Sequence, residues 1–151
     1  MKRLFSFGFL CFCLGAAVIL MAQSLFATPE NNGRFIRISD MEWKGQESHG
    51  PKTALKWILG RESDVEMESM TSFWFTDIGP GGVNKPHSHN NEEQIYYILQ
   101  GEGRMVIGDK EFQAKAGDVG YFPTNVSHGF YNDGDGDAIF IGIAARTAIG
   151  E

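Results

Sequence analysis

The sequence predicts an all-β chain folded as a single antiparallel β-barrel or jelly roll, and three observations carry that expectation. Eight short apolar or alternating segments follow one another between Thr53 and Arg146. Gly, Asp, Asn or Pro punctuates them about every ten residues. No stretch holds a convincing apolar period of a helix, so helical content is expected to be small.

The first 27 residues stand apart from that pattern. Lys2 and Arg3 precede an apolar run from Leu4 to about Met21, and small residues follow at Ala22, Ser24 and Ala27. This is the order of a secretory signal peptide, with cleavage expected near residues 24–27 and a periplasmic or secreted product. The alternative is a retained membrane anchor over residues 4–21, because roughly 18 apolar residues approach the length of a bilayer span. Cys11 and Cys13 both lie inside this run, so the mature chain is expected to hold neither a disulfide nor a reactive thiol.

Residues 28–68 read as an N-terminal arm with edge strands. Arg34–Ser39 is strand-like, GQESHGPK is rich in turn formers, and TALKWILG over 53–60 is a strand. The barrel proper is expected over 69–146 and a short tail over 147–151. Its strands are SMTSFWFTDI (69–78), QIYYILQG (94–101), GRMVIG (103–108), KEFQAKAG (110–117), VGYFP (119–123), SHGFYN (127–132) and AIFIGIAAR (138–146). Ile, Val, Phe, Tyr and Trp dominate them, side chains that suit a pleated, half-buried surface. MVIGDKEFQ reads as a tight hairpin through Gly108, Asp109 and Lys110. DGDGD, Asp133 to Asp137, lacks the twelve-residue ligand pattern of a calcium loop and reads as a solvated hairpin tip.

The chain carries 13 basic and 19 acidic residues. With Lys2 and Arg3 removed, 11 basic residues face the same 19 acidic ones, and the formal charge moves from −6 to −8. An acidic domain without a Lys/Arg cluster argues against nucleic acid, and after signal cleavage against a membrane surface. A small-molecule partner is the better expectation.

The chemistry concentrates in two short segments, KPHSHNNEEQ and FPTNVSHGFYN. His87 and His89 are two residues apart, and on a strand such residues point to one face. His128, from a later segment, can meet them. Three imidazoles and one oxygen donor make a first shell for a divalent transition metal such as Fe, Mn, Ni or Zn. His49, in the turn-rich loop, is assigned no role.

These two segments resemble the paired motifs of the cupin superfamily. Gly81, GVNKP and then His87-Ser-His89 begin the first motif and Gly101 ends it. Gly117, DVGYF, Pro123-Thr-Asn125, VS, His128, GFY and Asn132 follow the second, with Asn125 where glycine is usual. The resemblance spans roughly 69–146 and implies a small metal-binding jelly roll. Small cupins often pair through edge strands, and Arg34–Ser39 with Thr53–Gly60 supplies such strands, so a homodimer is expected.

The fourth ligand is ambiguous. Three residues after His89 the count reaches Glu93, whereas six residues back from Gly101 it reaches Gln94. Both alternating sets on this strand are apolar, so hydrophobicity does not decide. The glycine keeps register with its own strand while the loop after the histidines varies in length, and this favours Gln94, with Glu93 as the alternative. A neutral amide leaves a divalent ion its full charge, which favours Lewis-acid lyase, isomerase or hydrolytic chemistry on a small anionic metabolite, and the resemblance to cupins that linearise unsaturated uronate sugars implies a sugar acid or carboxylate. An Fe(II) dioxygenase and a non-catalytic binding module are the alternatives. Tyr96, Tyr131 and Tyr121 are candidate phenols at the site, and Arg104 a candidate two-pronged holder of a substrate carboxylate. Asn84, Lys85 and one of Trp74 and Phe75 are candidates for the pocket wall.

Overall fold

A computed structural model of the chain describes residues 33–147 apart from 62, 64 and 66, so the expected signal segment lies outside the described residues. The chain divides into two units, Met1–Phe35 and Ile36–Glu151, and the fold described is that of the second. Among the described residues ten strands form two antiparallel sheets: β1 (Lys44–Gly45), β2 (Thr53–Gly60), β3 (Met70–Ile78), β4 (Val83–His87), β5 (Glu92–Gln100), β6 (Glu102–Ile107), β7 (Lys110–Lys115), β8 (Val119–Phe122), β9 (His128–Tyr131) and β10 (Ala138–Arg146). The larger sheet runs β1-β2-β3-β10-β5-β8 and the smaller β4-β9-β6-β7. The fold is the all-β jelly roll that the strand pattern predicts.

Two expectations need correction. Arg34–Ser39 is not a strand; the regular element there is a 3-10 turn over Ile38–Asp40 with no buried residue. A further strand stands outside the expected set: Val83–His87, paired with β9. Pro86 and the polar Asn84 and Lys85 conceal it, since this short strand carries little apolar signal.

The core lies between the sheets and is aromatic. Tyr96, Phe122, Phe130 and Phe140 are almost wholly buried. Tyr96 stacks on Phe140 at 4.5 Å between centroids, with Phe122 edge-on at 4.7 Å. Each such side chain contributes about 1.5–3 kcal/mol by leaving water. Gly101 closes β5 with φ of 78°, and a Cβ there would meet the Asp137 carbonyl at 2.5 Å. Only glycine suits that position, and it fixes where β5 ends relative to its inward residues.

Candidate metal centre

Three imidazoles converge inside the barrel. His87 ends β4, His89 follows in the loop to β5, and His128 opens β9. Their ligating nitrogens lie within 4.8 Å of one another. Register places two of them, because His87 pairs directly opposite His128. The third is tied down by the second motif: the Asn125 N–H donates to the His89 carbonyl at 2.7 Å. Asn125 does so at φ of 62°, a left-handed conformation that Asn tolerates among non-glycine residues. The exchange of glycine for Asn125 therefore preserves the turn.

Backbone carbonyls sort the ring nitrogens. His87 Nδ1 lies 2.8 Å from the Lys85 carbonyl and His128 Nδ1 3.0 Å from that of Val126. In a neutral ring Nδ1–H donates there and the Nε2 lone pair is left for another partner. Burial, aided by the neighbouring imidazoles and opposed by the Val126 hydrogen bond, lowers the pKa of His128 to about 4. Burial and then His87 lower that of His89. His128 Nε2 faces Gln94 Oε1 at 3.2 Å, two lone pairs with no proton between them. His89 Nε2 is buried without a hydrogen-bond partner. Turning the Gln94 amide would give His128 a donor and leave His89 orphaned, whereas one cation satisfies all three atoms. The residues therefore fit a divalent metal.

Strand parity separates the two candidate oxygen donors. Gln94 is buried and points inward with Tyr96 and Ile98. Glu93 points outward, where its carboxylate accepts a hydrogen bond from the Tyr121 hydroxyl at 2.7 Å. Tyr121 is thereby placed outside as well. Tyr96 shares the inward face, its ring 5.7 Å from that of His128, and Asn84 Nδ2 donates to its hydroxyl at 3.5 Å. Burial pushes the Tyr96 pKa far above its ordinary value, so it is a neutral phenol and not a base.

Arg104 and Tyr131 do not reach the histidines, which corrects the roles suggested for them. Met105 and Phe130 fill the interior from β6 and β9, so their neighbours Arg104 and Tyr131 point outward. There Arg104 donates to Glu111 at 2.8 Å and to Asp133 at 3.1 Å, and lies 4.4 Å above the Tyr131 ring.

Several residues at the site, His49 and Arg61 among them, escaped the sequence reading. The cavity beside the histidines is lined by His49, Trp57, Arg61, Trp74, Asn84 and Tyr96, among others, and its volume is about 10 Å³, room for one water at most. His49 packs edge-on against His87 at 5.4 Å, because its carbonyl accepts the Lys85 N–H at 2.6 Å and stitches the turn-rich loop along β4. Burial, then the charge of His87, lowers the His49 pKa to about 4. Glu92 Oε2 is 3.9 Å from His89 Nδ1 and 3.8 Å from Arg61 Nη2. Only the presence of a fourth histidine signalled His49. Nothing local signalled Arg61, which topology alone brings to the cavity. Of the remaining wall candidates, Asn84 and Trp74 face the cavity, while Lys85 is exposed and Phe75 points outward by alternation.

The Cupin domain family model matches residues 74–144. An oxalate-binding protein of Thermotoga maritima is 33% identical over 96 residues, which cover 57% of this chain and 79% of that protein. Oxalate decarboxylase OxdC of Bacillus subtilis is 32% identical over 108 residues, 68% of this chain but only 27% of its own length. Among solved structures, a predicted oxalate decarboxylase from Thermotoga maritima superposes with a TM-score of 0.67 at 27% identity, over 76% of this chain and 100% of that one. KdgF from Halomonas sp. superposes at 0.66 with 19% identity, over 78% and 97% of the two chains; at that identity the likeness is one of fold.

Proposed function

The chain belongs to the cupin superfamily, and from that premise we propose that it binds a divalent transition metal through His87, His89, His128 and Gln94 and acts on a small carboxylate-bearing metabolite. The observation that carries this reading is the convergence of unprotonated acceptors: an orphaned His89 Nε2 and the facing pair of His128 Nε2 and Gln94 Oε1. The oxalate-binding and oxalate-decarboxylating relatives support a small anion as the ligand. A divalent ion held by neutral ligands supplies undiminished Lewis acidity toward a coordinated carboxylate, carbonyl or water. Within this reading Lys85 and Val126 hold His87 and His128 in one tautomer, Tyr96 and Asn84 offer neutral hydrogen-bonding groups beside the bound anion, and the aromatic core excludes water from below.

The choice between turnover and plain binding follows from the same residues. A dioxygenase reading drew its support from a carboxylate ligand, and Glu93 on the outer face lends it none. A binding module is the second reading, favoured by the few titratable groups left for proton transfer: His87, His89 and His128 are assigned to the metal, Tyr96 stays protonated, and among the described residues only His49 and Glu92 stand beside them. We include export in the proposal; the apolar run over 4–21 and the small residues after it support a mature chain starting between residues 25 and 28, which mass spectrometry of the protein from the periplasmic or secreted fraction tests.

The functional test pairs metal analysis with oxalate. Protein loaded with Mn(II) is expected to hold one ion per chain and to bind oxalate, and release of carbon dioxide or formate separates enzyme from binder. Loss of the ion with no effect on oxalate binding would overturn the proposal.

A further inference from the structure

Resting on that reading, we infer that Arg61 is a second anchor for the ligand and makes the site select a dianion over a monoanion. Arg61, at the end of β2, is common to the walls of two spaces. One is the 10 Å³ cavity at the histidines; the other is a surface cleft of about 490 Å³ that also carries Ser69, Thr71 and Arg146. A ligand larger than water cannot sit wholly in the first, and one that extends into the second passes the residue common to both walls. That residue is a guanidinium, planar and rich in donors, which matches a carboxylate in two-pronged fashion. Its hold on the protein is loose: 3.8 Å to Glu92 Oε2, longer than a hydrogen bond, and 5.2 Å above the Trp57 ring. Glu92 Oε2 is itself buried without a hydrogen-bond partner. Arg61 is thus free to turn its guanidinium from Trp57 toward a ligand carboxylate, as Arg104, tied to two acids on the outer face, is not.

The test titrates Mn(II)-loaded protein with oxalate, malonate and acetate, following heat and the fluorescence of Trp57 beneath the guanidinium. R61A is expected to lose ~10–100-fold in affinity for the two dianions, the worth of hydrogen bonds to a charged group. Acetate affinity and metal content should not change, and R104A should behave as wild type. Equal dianion binding by wild type and R61A would overturn the inference and leave the proposed function standing. If the loaded wild type binds none of the three anions, the proposed function fails and this inference with it.

Discussion

On strand β5 the side chains of Gln94, Tyr96 and Ile98 are 4%, 2% and 0% exposed, whereas Ile95, Tyr97 and Leu99, alternating with them, are 39%, 42% and 42% exposed. Both sets are largely apolar, and each includes a tyrosine. They differ in what lies opposite. The inward set meets imidazoles and a closed aromatic core, and the outward set meets only the flat face of its own sheet. Hydrophobicity therefore does not say which face of a strand is inside. The position of β5 relative to Gly101 and to the strands on either side decides that, and one residue of register would exchange Gln94 for Glu93 at the metal centre.

The largest expected effect that bears on this contrast comes from the inner face's principal partner. H128A should reduce metal affinity by ~100-fold or more, beyond the range seen when only a supporting hydrogen bond is lost, as read by competition with a chromogenic chelator. Removing the two tyrosines compares the faces directly. Y96A should destabilise the chain by about 3–5 kcal/mol through loss of a packed aromatic, while Y97A should cost the monomer under about 1 kcal/mol, both by denaturant unfolding. Similar costs for the two would erase the contrast.

Acid provides a subtler probe. His49 and His128 titrate at about 4 in the folded chain against 6.5 as the ordinary value. Their folded pKa is lowered, so the stability they contribute is complete above 6.5 and is lost as pH falls toward 4, where the unfolded chain takes up protons that the folded chain refuses. The melting temperature of metal-free protein should fall over that window, and the fall should be shallower in H49F, which removes one of the two groups. Smallest of all, E93Q should leave both metal affinity and stability close to wild type, since it alters only an exposed hydrogen bond to Tyr121.

Much of this was legible in the sequence. The long strands β2, β3, β5 and β10 declare themselves by β-branched and aromatic composition, and the three histidines by their spacing and by the glycines that bound them. What stayed hidden has physical causes. β4 is polar and contains Pro86, so it carries no alternation to read, and Arg34–Ser39 has the composition of a strand but holds only a 3-10 turn over Ile38–Asp40. Arg104 looked like the cation of the site because it follows Gly101 closely, but the parity set by Met105 turns it outward. Arg61 and His49 reach the cavity through contacts that no local pattern encodes: the run of β2 beside β3, and the backbone bond from Lys85 to the His49 carbonyl.

The central claim is that the inner face of β5 supplies the fourth metal ligand. A crystal structure of the metal-loaded protein, with an anomalous map at the metal edge, tests it most directly. The account predicts one ion per chain, held by Nε2 of His87, His89 and His128 and by Oε1 of Gln94, with Glu93 still bonded to Tyr121 on the outside. An ion ligated by Glu93, or histidines that bind none, would contradict it.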